Sequence, residues 1–364
     1  MVKHAFALAT SALLLSGTAF AAPAYSITTL SPDGTTRWTH LNNAGAATGY
    51  LGGQGYIRAA DGQLTLIPQL SDQPTAITAF GDNGAVGLMR VEEGPPQNVQ
   101  ETGLWRNGVV ESLPTLRTTP DGLGYGVVNR ISGNGLLAGT SAVNGGFYDD
   151  YGNLIPYTHA ATFSNGQVHD LGTLGGNFSM GAGINDNGIV VGFSLDADDR
   201  RRSFIYRNGA MQDLGLADNY YAFDINNAGQ VLANSGTSTA SAVIWQEGET
   251  TTLSQPGYSF SSASAINNRG DVVGRLFAPG QGGAGFLYSD GEIVLLAGLL
   301  DQPGWTIRDV ADINDSGTIL GVGCQGSDCS WVLLTPVPEP ATYGLLGTGL
   351  ALLALAARRQ RRAS

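Results

Sequence analysis

The chain has 364 residues, 53 of them glycine, with 42% apolar and only 13% charged side chains. That balance suits packed, turn-rich structure and excludes a disordered chain, which needs low hydrophobicity and dense charge. Four arginines crowd the C-terminus and the single lysine is Lys3; between these ends, 13 arginines face 29 carboxylates for a net charge of −16. A body this acidic excludes nucleic-acid binding through phosphate contacts, and anionic membrane surfaces repel it.

Taken in chain order, Met1-Val2-Lys3-His4 precedes an apolar run from Ala5 to Leu15 and then Ala19-Phe20-Ala21. A positive start, a short apolar stretch and an A-x-A site with Ala19 and Ala21 define a secretory signal peptide over residues 1–21, cut after Ala21. The expected route is the Sec translocon.

From residue 22 to 335 the chain repeats itself. One phrase recurs seven times: an apolar residue, an Asn/Asp/Gly turn, then an apolar stretch ending in a small residue. Leu41-Asn42-Asn43-Ala44-Gly45 is the first copy and Ile313-Asn314-Asp315-Ser316-Gly317 the last; the closing glycines lie 39, 51, 53, 41, 41 and 47 residues apart. Asn and Asp cap such turns and glycine takes the positive-φ position, so the phrase predicts a hairpin of strands A and B. A second hairpin follows, as in Leu104-Trp105-Arg106-Asn107-Gly108 and Phe286-Leu287-Tyr288-Ser289-Asp290-Gly291, giving strands C and D. Four strands in about 40 to 50 residues make one β-propeller blade. The prediction is an all-β, seven-bladed propeller, with an open β-solenoid as runner-up. Tyr25-Ser26-Ile27-Thr28-Thr29-Leu30 reads as a D strand without a partner, and the last unit stops after strand C at Trp331-Val332-Leu333-Leu334, so the first strand is expected to complete the last blade.

Thr158-His159-Ala160-Ala161-Thr162-Phe163, Arg202-Ser203-Phe204 and Leu171-Gly172-Thr173-Leu174-Gly175-Gly176 resemble the HAF family of extracellular repeats. The likeness extends over most of residues 25–335, with blades 1 to 3 degenerate. It implies an extracellular repeat protein and brings no common activity with it.

Candidates for chemistry are few. B–C and D–A loops share one face of a propeller with this strand order, and here they vary most in length, so binding is expected there. On that face Tyr148, Asp149, Asp150 and Tyr151 lie in one insertion, Asp196, Asp198 and Asp199 in another loop, and Trp305 in a third. The aromatic rings suit stacking on sugars, and the clustered carboxylates suit calcium or, equally, a solvated loop with local ion pairs. The full D-x-[DN]-x-[DN]-G calcium pattern is absent, and His40, His159 and His169 have no metal-ligand spacing. Cys324 and Cys329, the only cysteines, read as a disulfide outside the cytoplasm.

Residues 336–364 close the chain in three steps: Val337-Pro338-Glu339-Pro340, an uncharged run from Tyr343 to Ala357, and Arg358-Arg359-Gln360-Arg361-Arg362. As a helix the apolar run extends about 22 Å against about 30 Å of hydrocarbon, a short transmembrane span whose flanking arginines snorkel and stay cytoplasmic. This order resembles the PEP-CTERM sorting domain of Gram-negative bacteria, with Pro338-Glu339-Pro340 as the triplet. The resemblance implies an exosortase-type membrane protease as partner, cleavage near the triplet, and delivery to the cell surface or a biofilm matrix. A plain C-terminal anchor is the alternative. The sequence therefore predicts a non-enzymatic surface protein that binds exopolysaccharide or another surface protein. The second reading is a secreted polysaccharide-active enzyme using carboxylates on the variable-loop face; the third is a scaffold without a small ligand.

Overall fold

The computed structural model describes residues 25–30, 36–70, 75–92, 99–117, 125–148, 154–280 and 282–337. The signal peptide with Ala19 and Ala21, the Asp149-Asp150-Tyr151 segment, Pro338-Glu339-Pro340 and the tail beyond it lie outside the described residues. Among the described residues no helix is long and apolar enough to cross a membrane.

Twenty-eight strands form seven four-stranded antiparallel sheets. Blades 1 to 6 span residues 37–66, 75–112, 126–170, 175–213, 220–252 and 260–295, each ordered A-B-C-D along the chain. Blade 7 takes strands A to C from residues 305–336 and its fourth strand, Tyr25–Thr29, from the other end of the chain. Tyr25 lies opposite Pro336 and Thr29 opposite Val332. The circle is thus sealed by the expected split blade, and the solenoid alternative falls away.

The phrase that repeats in the sequence is the A–B turn. In each copy a β-turn bond closes it, as from Gly229 N–H to the Asn226 carbonyl at 3.1 Å, with Gly229 at φ 80°. The C–D turns Asn107-Gly108, Asn165-Gly166, Asn208-Gly209 and Asp290-Gly291 hold both residues at positive φ, the type I′ geometry that matches strand twist. Apolar alternation along the strands packs one blade against the next. Seven buried clusters result, one at each blade-to-blade seam; that between blades 5 and 6 joins Leu232, Ile244 and Leu253 to Val272, Leu276 and Phe286. The seam between blades 7 and 1 joins Trp38, Leu41 and Ala47 to Leu320 and Leu333.

Every strand A also carries a β-bulge at the same place, as between Val128 and Arg130, Ala222 and Asp224, and Val310 and Asp312. A bulge sets two residues against one, and here it carries a strand A carbonyl over strand B. A Cβ on Gly139 or Gly192 would collide with the carbonyl of Val127 or Met180. Steric exclusion therefore explains the small residue that ends each Val-Val-Gly-like stretch.

The B–C connections differ from the expectation of long loops. Leu137–Tyr148 and Leu154–Ser164 continue as a paired ribbon out to Tyr148 opposite Leu154. Strand pairing also continues to Glu92 opposite Val99. Prolonging the ladder satisfies backbone groups that a loop would leave to water.

Candidate functional site

A polar cavity of about 120 Å³ lies on the propeller axis, at the A–B turn end, lined by the turns of all seven blades. Two sets of side chains build it. The first residue of the turn is asparagine in five blades, and these asparagines are at most 5% exposed. Within its own turn the Asn226 Oδ1 accepts from Ala228 N–H at 3.1 Å and Gln230 N–H at 3.0 Å. Its Nδ2 donates to the Asn267 carbonyl of the next blade at 3.1 Å. Asn267 repeats this onto Asn314, and Asn314 onto Asn42 across the closure of the ring, at 3.1 and 3.0 Å. Each asparagine thus caps its own turn and latches the following blade.

The second residues form a polar belt above this ring. Asp186 N–H donates to Asn227 Oδ1, Asn227 N–H to Asn268 Oδ1, Asn268 N–H to Asp315 Oδ1, and Asp315 N–H to Asn43 Oδ1, at 2.7 to 2.9 Å. Asn43 continues to Asp82, donating from N–H at 2.7 Å and from Nδ2 at 2.8 Å. The belt breaks at blade 3, where the second residue is Gly133. A Cβ there would stand 2.9 Å from Asp82 Oδ2 and 3.1 Å from Asp186 Oδ1, so two carboxylates flank the gap.

Two residues before the first turn residue, the bulge places a second ring deeper in the channel: His40, Ala79, Arg130, Gly183, Asp224, Ala265 and Asp312. The Arg130 guanidinium reaches Asp224 two blades away at 2.5 Å. Asp224 accepts from Ile225 N–H at 3.0 Å and from Ile266 N–H of blade 6 at 3.2 Å. Asp312 likewise accepts from Ile313 N–H at 2.9 Å and from Leu41 N–H of blade 1 at 2.8 Å. Burial pushes the Asp312 carboxyl up to about 6, against the pull of Arg130 and the Leu41 N–H. Burial also pushes the His40 imidazole down to about 4, and the Arg130 charge adds to this. Burial opposes the charge on Arg130, but Asp224 and Asp312 outweigh it and hold the guanidinium protonated. Chemically, a protonatable carboxyl, an ion pair and a neutral imidazole converge, yet both oxygens of Asp312 are engaged with backbone donors.

The residues singled out from sequence lie elsewhere. Asp196 holds its own loop, accepting from Asp198 N–H and Arg200 N–H at 2.9 Å each and from Arg202 Nε at 3.0 Å. The Arg200 N–H, followed by the Arg202 side chain, keeps its carboxyl below the usual carboxylate range. Asp198 pairs with Arg200 at 3.5 Å on exposed side chains, and Asp199 sits at φ 57° in the turn. Trp305, half-buried, packs on the core of blades 6 and 7. Tyr148 ends strand B of blade 3. Cys324 and Cys329 face each other across the last B–C hairpin and are bonded. His159 pairs with Asp170 at 2.9 Å. Among the described residues no three His, Cys, Asp or Glu side chains gather as metal ligands. Arg130, Asp224 and Asp312 carried a signal that the sequence reading missed. Stacking the seven phrases exposes a column of His40, Arg130, Asp224 and Asp312 among small residues, but only the bulge turns that column inward.

Fold and axial site together define a closed seven-bladed β-propeller with a polar, carboxylate-rich channel mouth. Residues 336–362 match the PEP-CTERM protein-sorting motif, which implies an exported protein sorted by exosortase. No curated protein matches the chain. Among solved structures it is similar to YCF48 bound to D1 peptide, 11% identical, over 86% of this chain and 97% of that one, with a TM-score of 0.50. It is also similar to the β-propeller domain of the Trilobed protease from Pyrococcus furiosus, which has an open velcro topology (11% identical, 72% of this chain and 98% of that one, TM-score 0.37). Putative TolB from Agrobacterium tumefaciens is 12% identical over 76% of this chain and 95% of that one, with a TM-score of 0.44. At such identity the likeness to YCF48 speaks for the propeller fold and nothing further.

Proposed function

We propose that the protein is a surface or matrix component, built from HAF-type repeats, that binds an extracellular polymer through its propeller. The observation that carries this reading is the charge of the axial mouth. Asp82, Asp186, Asp224, Asp312 and Asp315 line it, with Arg130 as the one cation among the lining residues. Such a site selects an ammonium or other cationic group presented by a polymer such as an amino-sugar chain. The variable-loop residues Tyr148, Asp149, Asp150, Tyr151, Asp196, Asp198, Asp199 and Trp305 remain the proposed contacts for the rest of the polymer. The test is retention on chitosan oligosaccharide against neutral dextran. Wild type is expected to be retained by chitosan. Asp82→Asn/Asp186→Asn/Asp315→Asn is expected to lose most of that retention, while Glu111→Gln/Glu249→Gln/Glu292→Gln, on exposed strand D positions and with the same change in net charge, keeps it. Equal loss in both triple variants contradicts a site on the axis.

A second reading, a polysaccharide-active enzyme, draws on the convergence of Asp312, Asp224, Arg130 and His40. Its distinguishing result is turnover of a polysaccharide that Asp312→Asn abolishes while binding persists.

A further inference from the structure

A second cavity, also of about 120 Å³, lies in blade 1 and is lined by Thr36, Trp38, Tyr56 and Arg58, with Leu51 and Leu64 among its apolar walls. Pairing explains its shape. Trp38 of strand A, Gly49 of strand B and Tyr56 of strand C stand in register. A Cβ on Gly49 would collide with the Arg37 carbonyl oxygen and come 2.8 Å from Trp38 Cε3, so glycine makes room for both the strand A backbone and the indole. Arg58 bends over Gly62, where a Cβ would stand 3.5 Å from its Nη2.

Among its described lining residues the side chains offer more donors than acceptors. Trp38 and Thr36 are 3% and 4% exposed, and their Nε1 and Oγ1 atoms have no hydrogen-bond partner. Leaving a buried polar atom unpaired costs about 1–3 kcal/mol, so two of them at one cavity call for an acceptor. Trp245 and Trp305 also carry unpartnered Nε1 atoms, but neither lines this cavity or the axial one. The Arg58 guanidinium bonds the Ala59 carbonyl at 3.3 Å and makes no ion pair among the described residues. The Tyr50 hydroxyl oxygen accepts from Ile77 N–H of blade 2. Among the described residues no carboxylate lines the cavity.

We propose that this cavity is a binding site for a carboxylate group, held by the Arg58 guanidinium with Trp38 Nε1–H and Thr36 Oγ1–H as further donors. Guanidinium matches a carboxylate with two parallel N–H bonds, and the unpaired donors gain the acceptor they lack. A cavity of this size has room for acetate or the carboxylate end of a sugar acid. Leu51, Leu64 and Tyr56 supply the apolar and aromatic wall that the carbon skeleton of such a ligand requires.

The test reads the indole N–H signals of the ¹⁵N-labelled full-length protein in detergent micelles. The chain has five tryptophans, and Trp38→Phe assigns the relevant signal. Sodium acetate, sodium D-glucuronate and D-glucose are titrated at constant ionic strength. The expected result is a saturable shift of the Trp38 signal with acetate, and none with glucose. Arg58→Gln is expected to weaken binding at least tenfold while the other four indole signals, which report the fold, stay in place. A shift with glucuronate as well identifies a sugar acid as the source; a shift with acetate alone identifies a free carboxylate. A Trp38 signal that ignores both anions, that responds equally to glucose, or that keeps its affinity in Arg58→Gln overturns the proposal.

Discussion

Blades 4 to 7 and blades 2 and 3 close one ring with different chemistry. From blade 4 round to blade 1, each turn offers Asn and then Asn or Asp, and each reaches the next blade. Blades 2 and 3 offer Gly81-Asp82 and Ser132-Gly133 instead. A Cβ on Gly81 would stand 2.6 Å from Ile131 Cγ2, so the apolar seam leaves no room for the asparagine. Asn134 partly replaces the missing link, donating to Asp186 from its N–H and its Nδ2 at 2.8 Å each. The seam itself survives in Ala79, Leu104, Val128, Ile131 and Phe163. Apolar packing holds a blade in place, and the polar latch is an addition that two blades have lost. Its loss leaves Asp82 and Asp186 facing each other over Gly133, the most acidic stretch of the channel mouth.

The largest expected effect comes from Arg130, whose guanidinium joins blade 3 to blade 5. Arg130→Met leaves Asp224 and Asp312 buried without a cation and should cost about 3–5 kcal/mol in denaturant unfolding. A cost below ~1 kcal/mol would show that the inner ring contributes nothing to closure.

The inner ring also makes opposing contributions to pH dependence. The folded pKa of His40 is about 4, below its unfolded value, so its contribution to stability is lost as pH falls from about 6.5 to 4. The folded pKa of Asp312 is about 6, above its unfolded value, so its contribution is fully present below about 4 and lost as pH rises to 6. Each contribution is on the order of 3 kcal/mol. Asp312→Asn should therefore lose stability more steeply than wild type on acidification from pH 7 to 4, and His40→Gln less steeply. Unfolding free energies measured across that range check both, and parallel profiles for all three proteins would contradict the assignment.

The latch comparison itself is tested by two alanines. Asn226→Ala removes two caps and a bond to blade 6 and should cost about 2–3 kcal/mol, whereas Ser132→Ala, whose bonds to Leu136 N–H and Asn134 Oδ1 stay within its own turn, should cost about 1 kcal/mol. Equal denaturation midpoints would dissolve the distinction. The smallest effect is a gain. Gly133→Asn offers an amide to both flanking carboxylates and should stabilise the ring by up to about 1 kcal/mol. A loss of that size would mean that the gap cannot take the side chain.

Much of this fold is legible in the residues, because each blade repeats short-range turn chemistry. Asn208-Gly209 and Asp290-Gly291 name their turns directly, and the unpaired Tyr25–Thr29 strand announces the closure. The axial site is less legible. Asn226 reads as a turn cap, which it is, but its bond to Asn267 joins residues 41 apart and depends on the curvature of the ring. Arg130 and Asp224 are ordinary strand residues until a bulge turns them inward, and no local pattern marks that bulge. Asp196 has a structural use that its sequence hides: it accepts from Asp198 N–H, Arg200 N–H and Arg202 Nε within its own loop.

The most direct test of an exported, exosortase-sorted binding propeller is the intact mass of the protein recovered from cells with and without their exosortase. The account predicts a mature species that begins near Ala22 and ends near Pro338 in the presence of the protease, and an unprocessed tail in its absence. A chain that keeps Arg358 to Arg362 in both strains would contradict it and leave the C-terminus a plain anchor.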